Sequence, residues 1–166
     1  MDAASSEPPK VRAYAAGDRA AVVAMLTGRD PWQRLGYTAD HWQRLLTPPL
    51  RNREGWMIEH VGQPAGIAIV RLQFLLGDYL ELFAIGPGAE HRGLGRALLA
   101  EVERRVFART RNLFVCVSDF NQPARRFYAR NGYQQVGVLA DLIVPGSAEL
   151  LLRKTIADSF IPIREP

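Results

Sequence analysis

Apolar and polar positions along the chain follow two rhythms, and the switches between them lay out the elements. Residues 10–14 alternate weakly and predict a first strand. Ala21, Val22, Met25 and Leu26 recur at helical spacing. A helix over 19–27 follows, with Asp18 as N-cap and Gly28 as its end. Residues 30–38 place Trp32 and Tyr37 in a loop, and Thr38 or Asp40 then caps a short helix to about Leu46, which Thr47-Pro48-Pro49 breaks. Residues 55–60 and 65–72 read as a hairpin around 61–64, and a turn at 73–77 leads into an apolar strand at 79–85. Leu94, Leu98 and Val102 mark a helix from 94 to about 108, and 112–118 is an apolar strand. Asn121 caps a further helix, with Ala124, Phe127 and Tyr128 on one face and Asn131-Gly132 at its end. Strands at 133–138 and 148–154 close the pattern.

The chain is organised around residues 79–105. A strand runs through Gly86-Pro87-Gly88 and Gly93-x-Gly95 into a helix N-terminus. Glycines let the backbone approach a ligand, and first-turn amides lack intrahelical partners, so such a turn can hold an anion. Arg92 and Arg96 add positive charge. A P-loop needs Gly-Lys-Ser/Thr, but Arg96-Ala97 follows Gly95; a dinucleotide fingerprint needs glycine at 98, where Leu98 stands. An ordinary strand-to-helix turn remains the alternative. The strands at 79–85 and 112–118, joined by a helix, predict a parallel βαβ unit.

The 166 residues suit one domain over 10–166 behind a disordered tail at 1–9. A net charge of +4 fits a polyanionic cofactor, and no basic run with interleaved aromatics argues for nucleic acid. One cysteine, Cys116, excludes an internal disulfide, and His41, His60 and His91 have no metal spacing. No membrane span or signal peptide is visible, so a cytoplasmic setting is the default.

Two motifs stand in order: the strand at 79–85 with Glu90-x-x-Gly93-x-Gly95, and Asn121-x-x-Ala124-x-x-Phe127-Tyr128-x-x-x-Gly132-Tyr133. On these the chain resembles the GNAT family of N-acetyltransferases, over roughly residues 10–154. The resemblance implies an α/β fold of α+β type: a single mixed, mostly antiparallel sheet of about seven strands, splayed between the fourth and fifth, with about four helices. It implies acetyl-CoA as cofactor. Its pantetheine arm would pair with backbone at Phe83, Ala84 and Ile85, and its pyrophosphate would sit on the amides of His91, Arg92, Gly93, Leu94, Gly95 and Arg96. Asn121 would reach the pantetheine, with Ala124 and Phe127 packed on it and Tyr128 near the thioester sulfur. Two positions depart from the family. Glu90 stands where Gln or Arg is usual, and Cys116 stands where acetylases of ribosomal-protein N-termini carry a glutamate.

Acetyl transfer to an amine needs a base for the ammonium and a proton for the leaving thiolate. Tyr128 is the candidate acid, although Ala124, Phe127 and Tyr128 also form a core stripe. Glu81 is the candidate base: it alternates with Tyr79, Phe83 and Ile85, and desolvation would raise its pKa. A salt bridge to an arginine is the competing reading. Trp32 and Tyr37 are either a satellite core or the wall of an acceptor pocket. The expected activity is an N-acetyltransferase acting on a small-molecule or peptide amine. A catalytically silent acyl-CoA-binding module is the alternative, and a homodimer is left open.

Overall fold

The computed structural model describes residues 8–156. The expected tail at 1–9, but for its last two residues, lies outside them. The strands are β1 (Lys10–Ala13), β2 (Arg53–His60), β3 (Gln63–Phe74), β4 (Gly77–Ile85), β5 (Asn112–Ser118), β6 (Gln134–Ala140) and β7 (Ala148–Thr155). The helices are α1 (Arg19–Leu26), α2 (Ala39–Leu45), α3 (Leu94–Val106) and α4 (Gln122–Arg130). The strands form one seven-stranded sheet in the order β1-β2-β3-β4-β5-β7-β6. Every neighbouring pair is antiparallel except β4 and β5. That pair is parallel because α3 carries the chain back across the sheet between them.

Each face of the sheet has its own core. Leu94, Leu98, Val102 and Val106 of α3 pack with Leu80, Leu113 and Val115 on one face, and Tyr128 of α4 joins them. Val22 and Leu26 of α1 and Trp42 of α2 pack with Met57, Ile67, Ile69 and Leu82 on the other. Among the described residues no helix is long and apolar enough to cross a membrane, and no group of His, Cys, Asp or Glu is placed to hold a metal.

The predicted caps divide. Thr38 accepts from the His41 amide at 3.3 Å, and Asn121 from the Ala124 amide at 3.2 Å, as the sequence implies. Asp18 does not cap α1. Its carboxylate turns back to the Ala15 amide (2.8 Å) and to Arg12 (2.7 and 2.8 Å), because a guanidinium fork offers a stronger, charge-assisted partner than helix amides do.

One irregularity organises the centre of the sheet. Ile69 of β3 pairs with Leu82 and Val70 pairs with Leu80, so Glu81 is an extra residue, a β-bulge in β4. The bulge breaks the alternation read from the sequence. Leu80 packs against α3, Leu82 packs against α1 and α2, and Phe83 and Ile85 return to the α3 face. Glu81 therefore does not share a face with Phe83 and Ile85. The bulge also bends β4 away from its parallel neighbour. Pairing with β5 runs from Asp78↔Leu113 to Leu80↔Val115 and ends there, although β4 continues to Ile85 and β5 to Ser118.

Candidate active site

Where β4 and β5 part, a cleft of about 430 Å³ opens, lined by Glu81, Phe83, Cys116, Ser118, Asn121, Ala124, Tyr128 and Glu149. Backbone groups of β4 beyond the bulge face this gap without a β5 partner, so an extended ligand arm can satisfy them. At the mouth Phe83 stacks on Phe127 with ring centroids 5.8 Å apart, and Tyr128 meets both edge-on. Burial alone pushes the Tyr128 pKa up, so its hydroxyl keeps its proton at neutral pH.

The N-terminus of α3 lies beside the gap. Gly93 is its N-cap, with φ of 76°, a left-handed conformation that a side chain would strain. The Ala97 amide donates to the Gly93 carbonyl at 3.0 Å, which leaves the earlier amides of Leu94, Gly95 and Arg96 without an acceptor in the helix. A Cβ at Gly95 would meet only Ile85 and Phe127, at 3.5 and 3.6 Å. Packing within the chain therefore tolerates a small side chain there, and the bare backbone leaves room for a ligand. These groups make a cradle of amides that fits a diphosphate.

Glu90 beside the cradle is neutralised. Arg29, from the end of α1, donates to Glu90 Oε1 at 2.7 Å and to the Ile85 carbonyl at 3.1 Å. This arginine was not visible as a partner in the sequence, since 61 residues separate the pair. The resemblance assigns backbone at Ile85 to the pantetheine arm, and here its carbonyl is engaged by a guanidinium.

The wall of the cleft before α2 is aromatic. Trp32 meets Trp42 edge-on at 5.8 Å, and Tyr37 stacks on Trp42 at 5.1 Å. All three line the cleft, and Trp32 and Tyr37 also pack against the core of α1 and α2 to which Trp42 belongs. Leu142 and Ile143, between β6 and β7, form the opposite lip.

Glu81 is placed in the cleft, but not as expected. Arg53 donates to it at 2.6 and 3.2 Å and Arg71 at 2.7 Å. Burial pushes its pKa up, but the hydrogen bonds from both arginines outweigh burial and the net shift is downward. The expected upward shift is overturned. Arg53 and Arg71 face each other across β2 and β3, and the bulged carboxylate relieves their repulsion. Tyr79 and Cys116 are neighbours deeper in the cleft, and burial pushes both of their pKa values up. Glu149, Ser118, Arg53 and Arg71 escaped the sequence reading. The available signal at 149 was one acidic residue inside the apolar run of β7.

Comparison with known proteins places this geometry. The family model described as "Acetyltransferase (GNAT) family" matches residues 10–133. A peptidyl-lysine N-acetyltransferase of Escherichia coli, YiaC, is 28% identical over 106 residues, which are 64% of this chain and 67% of that protein. A GNAT-family crystal structure from Desulfovibrio desulfuricans superimposes with a TM-score of 0.76 at 26% identity, covering 90% of this chain and 100% of that one. The Vibrio cholerae spermidine N-acetyltransferase, solved with CoA and spermine, has the same fold (TM-score 0.73, 15% identity, 89% of this chain and 95% of that one).

Proposed function

The chain belongs to the GNAT acetyltransferase family, and from that premise we propose that it transfers an acetyl group from acetyl-CoA to a primary amine, both held in the cleft at once. The observation that carries this reading is the parting of β4 and β5 at the Glu81 bulge, directly beside the free amides of α3. The amides of residues 91–96 would hold the diphosphate, with Arg92 and Arg96 adding charge. Backbone at Phe83 and Ala84 would take the pantetheine arm, and Asn121, Ala124 and Phe127 would flank it. When bound, the thioester supplies an acyl carbon open to an amine. Holding two reactants side by side removes most of the entropic cost of their encounter, and no covalent enzyme intermediate is needed.

Within this reading Tyr128 Oη holds the proton that the leaving sulfur takes, since burial keeps the phenol neutral. Glu81, held ionised by two arginines whose charge it compensates, anchors the bulge rather than acting as a titrating base. Trp32 and Tyr37 would pack on the apolar arm of the acceptor. The Escherichia coli relative is named for peptidyl-lysine and the Vibrio cholerae structure for spermidine, and both carry a primary amine on an alkyl chain.

The test is an acetylation screen over alkylamines, polyamines, amino acids, aminoglycosides and lysine peptides, read as free thiol released. Amine-dependent release with at least one class supports the reading. CoA binding without turnover on any amine would instead make the protein a silent acyl-CoA-binding module.

A further inference from the structure

The cleft holds a second carboxylate, in surroundings opposite to those of Glu81. Glu149 of β7 pairs with Ser118 of β5, past the point where β4 and β5 separate. It is 5% exposed and borders the cleft with Tyr37, Cys116 and Tyr128. Ser118 Oγ donates to its Oε1 at 2.6 Å. No ion pair among the described residues includes it, whereas Glu81 has two.

Among the described residues, the groups that act on Glu149 are neutral or acidic. Cys116 and Ser118 face it from β5, Tyr37 from the loop before α2, and Asp119 from the loop before α4. Its partner on β6 is Leu139. Asp119 is itself occupied by the Ser147 hydroxyl and the Ala148 amide, both at 3.2 Å. Burial pushes the Glu149 pKa up, the Ser118 hydrogen bond draws it partly back, and the charge of Asp119 adds to the rise. A second buried polar group belongs to the lining of the same cleft. Trp42, 3% exposed and part of its lining, has a buried indole N–H with no acceptor among the described residues. A buried carboxylate held by one hydroxyl and no cation is costly unless a further partner completes it.

We propose that Glu149 receives the acceptor's ammonium group and removes its proton. The proposal rests on the acetyltransferase reading above. In this step one N–H bond of the ammonium breaks and one O–H bond forms on the Glu149 carboxylate. The electron pair stays on nitrogen, which becomes a neutral amine, and the carboxyl later gives its proton to water. Ser118 is a positioning residue: its hydrogen bond fixes the carboxylate and keeps its pKa from rising further.

The experiment has a turnover arm and a binding arm. With the best acceptor, the wild-type log kcat/KM should rise with pH and level off above an enzyme-borne pKa. Glu149→Gln should lower kcat/KM near neutral pH by ~10²-fold or more, with the loss shrinking at high pH, where the amine arrives deprotonated. Glu81→Gln should keep the enzyme-borne limb, and Ser118→Ala should move it to higher pH. In the binding arm, butylammonium chloride is titrated into the protein and followed by NMR, with no thioester present. Glu149→Gln should weaken its binding by about tenfold, as loss of one charge-assisted contact would. A Glu149→Gln profile parallel to wild type, or an unmoved limb in Ser118→Ala, would overturn the proposal. If no amine is acetylated at all, the acetyltransferase reading falls. The butylammonium titration still judges Glu149: a tenfold loss supports its ammonium site, and unchanged affinity overturns it.

Discussion

The two sides of the cleft are built by different means. The donor side, from the β4 bulge through the start of α3 to α4, is chiefly backbone: unpaired strand groups, helix amides and a glycine at positive φ. The side proposed for the acceptor is chiefly side chains brought from distant segments: Trp32 and Tyr37 before α2, Leu142 and Ile143 before β7, and Glu149 on β7. Backbone placed by local sequence is hard to retune without breaking the fold, so that side suits one constant ligand. Side chains from three segments can change independently, so that side suits a ligand that differs between relatives. The two carboxylates repeat the contrast. Glu81 is locked by Arg53 and Arg71, while Glu149 has, among the described residues, one serine hydroxyl and no ion pair.

Four substitutions would break or sharpen this comparison. The largest effect is expected at the point where the two sides meet. Tyr128→Phe keeps the aromatic packing but removes the proton, and kcat should fall roughly ten- to a thousandfold while CoA affinity, by calorimetry, stays the same. Wild-type turnover would return Tyr128 to the core alone.

Glu81→Gln probes the locked carboxylate through stability. The folded pKa of Glu81 lies below its unfolded value. The ion pairs therefore stabilise fully above the unfolded pKa of about 4.3, and that stability is lost as pH falls through the folded value. The variant should lose ~1–3 kcal/mol at neutral pH in urea unfolding, with the gap closing under acid. A pH-independent difference would refute the pairing.

Gly95→Val tests the donor cradle. Chain packing around Gly95 leaves room for a Cβ, so the fold should survive while the side chain blocks close approach of a diphosphate. CoA affinity should drop by tenfold or more, ~1.4 kcal/mol. An unchanged calorimetric Kd in a folded variant would move the diphosphate elsewhere.

The smallest effect is expected at Arg29→Ala. Freed from its partner, Glu90 would repel the diphosphate across solvent, weakening CoA only a few-fold, by under ~1 kcal/mol, and less at high salt. A loss that ignores salt would point instead to the lost bond to the Ile85 carbonyl.

How much was legible follows the same division. The seven strands, the parallel pair, the glycine turn and the Thr38 and Asn121 caps each depend on residues near one another in sequence, and all could be read there. The bulge could not: an extra residue is defined only against a partner strand, so Glu81 was assigned the alternation of an unbroken strand. The Arg53 and Arg71 partners of Glu81 arrive from 28 and 10 residues away, and Ser118 reaches Glu149 across 31. No spacing rule links such pairs. For Trp32 and Tyr37 the sequence offered both a satellite core and a pocket wall, and could not place them beside the cleft, because only the fold brings the loop there.

The most direct test of the division between the two sides is amide hydrogen exchange with and without CoA. The account predicts new protection at residues 81–85, 91–96 and 121–127, with residues 30–38 and 141–149 unchanged until an acceptor amine is added. Protection confined to 30–38 and 141–149, or none at 91–96, would contradict it.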